Sequence, residues 1–200
     1  MTMKSKTKAA IAGLVFAALV PGAAVGQFSE SYNFLKAVRD RDGTKATEII
    51  TKPGSIIIDT REQGSGEAAI HIVTKRRDIA WMGFLLSRGA RPDVRDGTGN
   101  TALNLAAQIG FTEGATQLLK FRASVDLANN SGETPLIRAV QARDIAMARL
   151  LLAAGANPAK TDRIAGMSAR DYAVRDARAK AILLLINEVK PAKAVAGPKP

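Results

Sequence analysis

One pattern recurs three times along this chain, at a spacing of 33 residues. Gly66, Gly99 and Gly132 each open a copy: GEAAIHIVTKRRDIAWMGFLLSRGARPDVRDGT (66–98), GNTALNLAAQIGFTEGATQLLKFRASVDLANNS (99–131) and GETPLIRAVQARDIAMARLLLAAGANPAKTDR (132–163). A fourth copy, GMSARDYAVRDARAKAILLLI, starts one residue late at Gly166, after Ile164-Ala165 has lengthened the connection before it. Self-similarity at such a period means that each copy is one supersecondary unit that cannot bury its apolar face alone. Stacked neighbours bury it instead, in a quasi-one-dimensional array. The expected fold is an all-α solenoid of about five helix pairs with short outward β-turn loops.

The residues within a copy have separate physical tasks. Thr101 and Thr134 stand just before a helix, where a hydroxyl caps free N–H groups. Pro135 follows in the first helical turn, where its missing N–H costs nothing. Ile70, Leu103 and Leu136 are expected to face the neighbouring copy. Ala106, Ala107, Ala139 and Ala173 are small enough to let adjacent helices approach. Phe84-Leu85-Leu86, Leu118-Leu119, Leu150-Leu151-Leu152 and Leu183-Leu184-Leu185 recur at helical spacing and are read as the continuous core. Gly89 and Gly155 suit the left-handed residue that ends a helix. Arg122 occupies their place in the middle copy, where a side chain in that conformation costs about 1–2 kcal/mol. Asp96, Asn129 and Asp162 open the turn into the next copy. Trp81, the only tryptophan, sits at a helix packing position and reads as a core or inter-repeat contact.

The Thr-Pro-Leu-His slot, filled here by Thr134-Pro135-Leu136-Ile137, Thr101-Ala102-Leu103-Asn104 and Ala68-Ala69-Ile70-His71, resembles that of the ankyrin-repeat family. The resemblance is tightest over 66–163 and extends over about 28–190. It implies L-shaped units of two helices and a loop, with loop tips and first helices lining a concave face that binds partner proteins. It also implies that His71, the only histidine, is structural, hydrogen-bonding within and between repeats. The expected organisation is a degenerate N-terminal capping repeat (28–65), internal repeats 66–98, 99–131 and 132–165, and a C-terminal capping repeat (166–190). In the N-terminal repeat SYNFLKAVRDRD reads as the first helix and TKATEIITK as the second. Arg170, Asp171, Arg175, Asp176 and Arg178 give the last repeat the polar outer face that a cap needs.

The start of the chain is of a different kind. Lys4, Lys6 and Lys8 precede the uncharged run AAIAGLVFAALV (9–20), and Ala24-Val25-Gly26 supplies small residues. Basic start, short apolar run and small-residue exit describe a cleavable secretory signal, residues 1–26, with the cut expected before Gln27. The run is too short to span a bilayer, which needs about 20 apolar residues. With this start, the chain is similar to exported, periplasmic bacterial ankyrin-repeat proteins. The domain is then 27–190, and the basic, proline-rich tail 191–200 is expected to be disordered. Loss of Lys4, Lys6 and Lys8 lowers the net charge from +11 to +8. There is no cysteine, so stacking alone must hold the array and no lipid can be attached at a cleavage-site cysteine.

No metal-ligand cluster, phosphate loop or nucleophile elbow is visible. The reading is therefore a non-enzymatic scaffold without a cofactor, monomeric, binding an acidic protein partner in the periplasm, or outside the cell if secreted. The candidate contacts are Arg61, Lys75, Arg76, Arg77, Arg91, Arg95, Lys160 and Arg163 as a basic rim, around Gln108, Ile109 and Phe111. Arginine and aromatic side chains are enriched among binding hot spots. Two alternatives stand beside it: an electrostatic binder of anionic envelope surfaces, and an accessory subunit of an exported enzyme. Base stacking on nucleic acid lacks support, because no basic stripe is interleaved with aromatics.

Overall fold

The computed structural model describes residues 22–188. Ten α-helices follow in pairs joined by tight turns, and the only extended pairing among the described residues is two isolated bridges. The pairs are α1 (Gly22–Asp40) with α2 (Gly43–Ile50), α3 (Ala69–Lys75) with α4 (Ile79–Ser87), and α5 (Ala102–Ile109) with α6 (Thr112–Lys120). They continue with α7 (Pro135–Gln141) and α8 (Ile145–Ala153), then α9 (Ala169–Arg175) and α10 (Lys180–Glu188). The array is an all-α repeat solenoid of five helix pairs. Its first helix begins at Gly22, well ahead of the Ser31 start read from the sequence. Most of the signal segment (1–21) and the tail (191–200) lie outside the described residues.

Side-chain caps start six of the helices. Thr101 and Thr134 accept from the N–H of Asn104 and Ile137, each at 3.3 Å, and Ser168 accepts from Asp171 at 3.2 Å. Asp42, Asp78 and Asp144 cap the second helices through the N–H of Lys45, Trp81 and Met147. Such a cap contributes about 1 kcal/mol.

The first helices pack in one row, α1 on α3, α3 on α5, α5 on α7 and α7 on α9, while α4, α6, α8 and α10 form a second row. Ile70, Leu103, Leu136 and Ile137 are at most 1% exposed between these rows, with Ala106, Ala107 and Ala139 where the helices approach. Burying one such Leu or Ile contributes about 1.5–3 kcal/mol. Leu85, Leu86, Leu118, Leu151 and Leu152 join this core, and Phe84, Leu119 and Leu150 lie half-buried beside it. Trp81 is half-buried too, its ring edge-on to Phe84 at 5.3 Å. The last pair departs from the expected register. In α10 the buried side chains are Ile182 and Ile186, whereas Leu184 is 58% exposed. The 3-10 turn Ala177–Ala179 replaces the ordinary inter-helix turn and brings the core positions two residues forward.

Backbone hydrogen bonds tie each repeat to the next. Gly97 N–H donates to Ser65 O at 2.9 Å, Asn130 to Thr98 at 3.1 Å and Arg163 to Ser131 at 2.8 Å, so the loop tips form a ladder. Asp59, Asp93 and Asp126 repeat a second device, their carboxylates accepting the N–H of Arg91, Ser124 and Asn157 from the following repeat. The turns themselves are held from within. Asp96 accepts from Thr98 and Asn100, Asn129 from Ser131 and Glu133, and Asp162 from Ile164, Ala165 and Gly166. The inserted residues of the last loop are thereby folded around the Asp162 carboxylate.

Candidate protein-binding face

His71 is fully buried at the third position of α3. Its Nδ1 accepts the Ala68 N–H at 3.0 Å, which capping by the alanine side chain could not supply. With Nδ1 an acceptor, Nε2 carries the proton and donates toward Val94 O (3.0 Å) in its own repeat and Asn100 O (3.1 Å) in the next. Asn104 repeats the arrangement in α5: Oδ1 accepts the Thr101 N–H and Nδ2 donates to Glu133 O. His71 is thus an inter-repeat connector with both ring nitrogens occupied.

Burial pushes the His71 pKa below the ordinary histidine value, although the acceptors Asn100 O and Val94 O and the nearby Asp96 oppose this. Below pH of about 6.5 the unfolded chain then binds a proton that the folded chain does not, so stability falls as the medium becomes acidic. One group limits that slope to about 1.4 kcal/mol per pH unit. Replacing His71 by Asn, the residue that does the same work in α5, is expected to keep the cap and flatten the slope. Urea unfolding at about pH 7.5 and about pH 5.5 measures it; an unchanged slope would remove His71 as its source. The turn carboxylates act in a lower window. Burial of Asp162 opposes ionisation, but the Tyr172 hydroxyl and the amides of Ala165, Ile164 and Gly166 hold its pKa below the usual range. Its stabilisation is lost only as pH falls through that lowered value.

The eleven side chains read as a partner surface fall into three sets of three, with Ile109 and Phe111 apart from them. Arg76, Arg77 and Arg95 are fastened to the backbone of neighbouring repeats. Arg76 donates to Val38 O (3.1 Å) and Arg39 O (2.7 Å) and pairs with Asp78, Arg77 donates to Ile109 O, and Arg95 donates to Gly99 O and Ala128 O (2.6 Å). Charge reversal at Arg76 or Arg95 would therefore remove structural donors as well as charge. Lys75, Arg91 and Lys160 lie in exposed ion pairs with Glu67, Asp59 and Asp126, each worth about 0–1 kcal/mol. Arg61, Gln108 and Arg163 are exposed, and neither arginine has an ion-pair partner among the described residues. Ile109 is half-buried. Phe111 corrects the reading outright: it is 5% exposed and belongs to the core. Its ring lies over Gly114, where a built Cβ would meet it at 2.3 Å, so an aromatic at the mouth of α6 packs inward where its neighbour is glycine.

Two further arginines, Arg41 and Arg143, were not singled out in the sequence, and they share a backbone feature with Arg77. Arg41, Arg77 and Arg143 all have positive φ, 59°, 55° and 55°, at the residue between first and second helices. Gly110 holds the same place in the middle repeat with φ 65°. Arg41 reaches Asp78 of the next repeat at 2.8 Å, Arg77 reaches Ile109 O and Arg143 reaches Asp176 at 2.6 Å, so a strained backbone position places a charge across every repeat boundary except the one after Gly110. The recurring Arg-Asp dipeptides at 41–42, 77–78 and 143–144 are its trace in the sequence. Three or more His, Cys, Asp or Glu residues do not gather into a metal-binding group among the described residues. No helix there is long and apolar enough to cross a membrane.

Residues 70–162 match the family model for ankyrin repeats in three copies. An ankyrin repeat-containing protein of Treponema pallidum (strain Nichols) is 40% identical over 90 residues, 44% of this chain and 30% of its own length. The B-cell lymphoma 3 protein homolog of Mus musculus is 36% identical over 97 residues, 46% of this chain and 22% of its own. Protein phosphatase 1 regulatory subunit 27 of Mus musculus is 29% identical over 109 residues, 54% of this chain and 70% of its own. The chain thus spans less than a third of the first two relatives. Repeat period, capped helix pairs, stacked loop tips and the buried connector at His71 agree with the family match, and residues 70–162 of the chain are three ankyrin repeats.

Proposed function

We propose that this chain is an exported, non-catalytic adaptor that binds an acidic protein through its loop tips and first helices, in the periplasm or after secretion. The observation that carries the reading is a division of labour among polar groups. Backbone groups, the Asp and Asn side chains of the turns and His71 of α3 are consumed in holding and joining repeats, whereas Arg61, Gln108, Gln141 and Arg163 are exposed on loops and first helices. A stack already satisfied internally is free to present such side chains without structural cost, and the fold family supplies protein binding as the use. The basic balance of the chain favours a partner of opposite sign, since surface charge steers encounter more than it adds affinity. Export rests on residues 1–26 alone, and cleavage before Gln27 would trim α1 at its N-terminal end.

A crosslinked pull-down from intact cells tests this, comparing the native chain with Arg61→Glu/Arg163→Glu. Those two arginines are chosen in preference to Arg76 and Arg95 because their side chains make no bond across a repeat boundary among the described residues. One envelope protein captured by the native form and lost by the variant is the expected result. Equal capture would move the site elsewhere. Capture of heterogeneous anionic material that disappears with modest salt would favour the envelope-surface alternative. The likeness to a phosphatase regulatory subunit favours one further reading, in which the captured protein is an enzyme and this chain its accessory subunit.

A further inference from the structure

The ladder of loop tips has an open first rung. In each of its three bonds the donor is the residue just after the one that holds the turn: Gly97 after Asp96, Asn130 after Asn129, Arg163 after Asp162. Gln63, after Glu62, is that residue in the first loop. The first and last loops are built alike, each closed by an antiparallel bridge, Arg61 with Ala68 and Thr161 with Ser168, so Gln63 corresponds to Arg163. Arg163 N–H donates to Ser131 O, whereas Gln63 N–H has no acceptor among the described residues. Where a preceding loop would lie there is instead a cleft of about 550 Å³ between α1 and the first loop, lined by Tyr32, Leu35, Arg39, Arg61, Glu62 and Gln63 among others. Tyr32 is 64% exposed on its wall. Arg39 and Glu62 neutralise each other at 2.5 Å, and Glu62 also accepts from Ser65, which leaves Arg61 as the uncompensated charge of the cleft.

We propose that this cleft takes an extended acidic peptide segment of the partner, which supplies the missing rung. A backbone carbonyl of the segment accepts the Gln63 N–H, an apolar side chain lies on Tyr32 and Leu35, and a carboxylate pairs with Arg61. Strand-like addition to an open backbone edge gives affinity through the main chain and specificity through the side-chain pockets. The proposal rests on the protein-binding reading above and adds the place and the chemistry of the contact.

The test is an NMR titration of the full-length chain, 15N-labelled, with a pool of short peptides carrying one leucine flanked by aspartates, beside the same pool with lysines. The acidic pool is expected to shift the amides of Arg61, Gln63 and Gly64 and to slow exchange of the Gln63 N–H by about tenfold or more, with binding of the lysine pool weaker by a similar factor. Arg61→Glu, and separately Gln63→Pro, which deletes the donor, are each expected to weaken acidic-peptide binding by about tenfold. Shifts that centre on Gln108 and Gln141 with Gln63 unmoved would overturn the cleft while leaving protein binding in place. Shifts at Gln63 that grow with protein concentration and need no peptide would overturn the peptide in favour of a second copy of this chain. No shift with either pool overturns the cleft, whereas the pull-down decides separately whether the array binds protein at all.

Discussion

Leu136→Ala is expected to lower stability by about 3–5 kcal/mol, the range for a leucine deleted from a packed core with incomplete collapse around it. Leu136 is fully buried in α7, which packs on α5 on one side and α9 on the other. A cavity there therefore weakens two repeat boundaries at once. In an array whose stability is a sum of repeat and nearest-neighbour contributions, loss at a boundary also uncouples the repeats it joins. The expected result in urea is a lower midpoint with a transition that broadens or splits, the last two helix pairs melting first. Native-state hydrogen exchange would show α9 and α10 losing protection before α3 and α5. A single sharp transition shifted by less than about 1 kcal/mol would mean that Leu136 is not a shared boundary residue.

The repeat period exposed the fold because the units carry local boundary marks: a threonine cap with a leucine two residues later in the two central copies, and a small residue on the approaching helix. These are local requirements and local residues meet them. What the sequence hid is set by neighbours distant in the chain. Arg76 and Arg95 look like free surface charge until the carbonyls of Val38, Arg39 and Ala128 are placed beside them. Phe111 looks like an exposed aromatic until Gly114 opens a pocket for its ring. Leu183-Leu184-Leu185 matches the leucine runs of the earlier repeats, yet the 3-10 turn before α10 rotates that helix so that Ile182 and Ile186 face inward. A repeat pattern predicts positions only as far as the turn lengths between helices are constant. The open cleft beside the first loop follows from the same principle, since among the described residues that loop has no preceding loop to contact.

Gly132→Ala is expected to cost about 2–3 kcal/mol, more than its backbone conformation alone demands. Gly132 has φ +80°, and an alanine there meets the ordinary left-handed penalty of about 1–2 kcal/mol. Its Cβ would also lie 2.7 Å from Arg163 N and 3.1 Å from Asp162 C, backbone atoms of the next loop that cannot step aside singly. Relief requires that loop to move, which stretches the 2.8 Å bond from Arg163 N–H to Ser131 O and forfeits a hydrogen bond worth about 1 kcal/mol. Gly155 provides the comparison, since it has φ +90° with nothing within 4 Å of a built Cβ. Gly155→Ala should therefore show the conformational penalty alone. Arg122, with φ 64° at the position equivalent to Gly155, already bears that penalty. Arg122→Gly should recover part of it, reduced because glycine gains more freedom in the unfolded chain. Equal losses for the two glycine variants in urea unfolding would mean that the loop tips are not in compression. A larger loss at Gly132 would show that the stacking of the loops, and not only the packing of the helices, holds successive repeats in register.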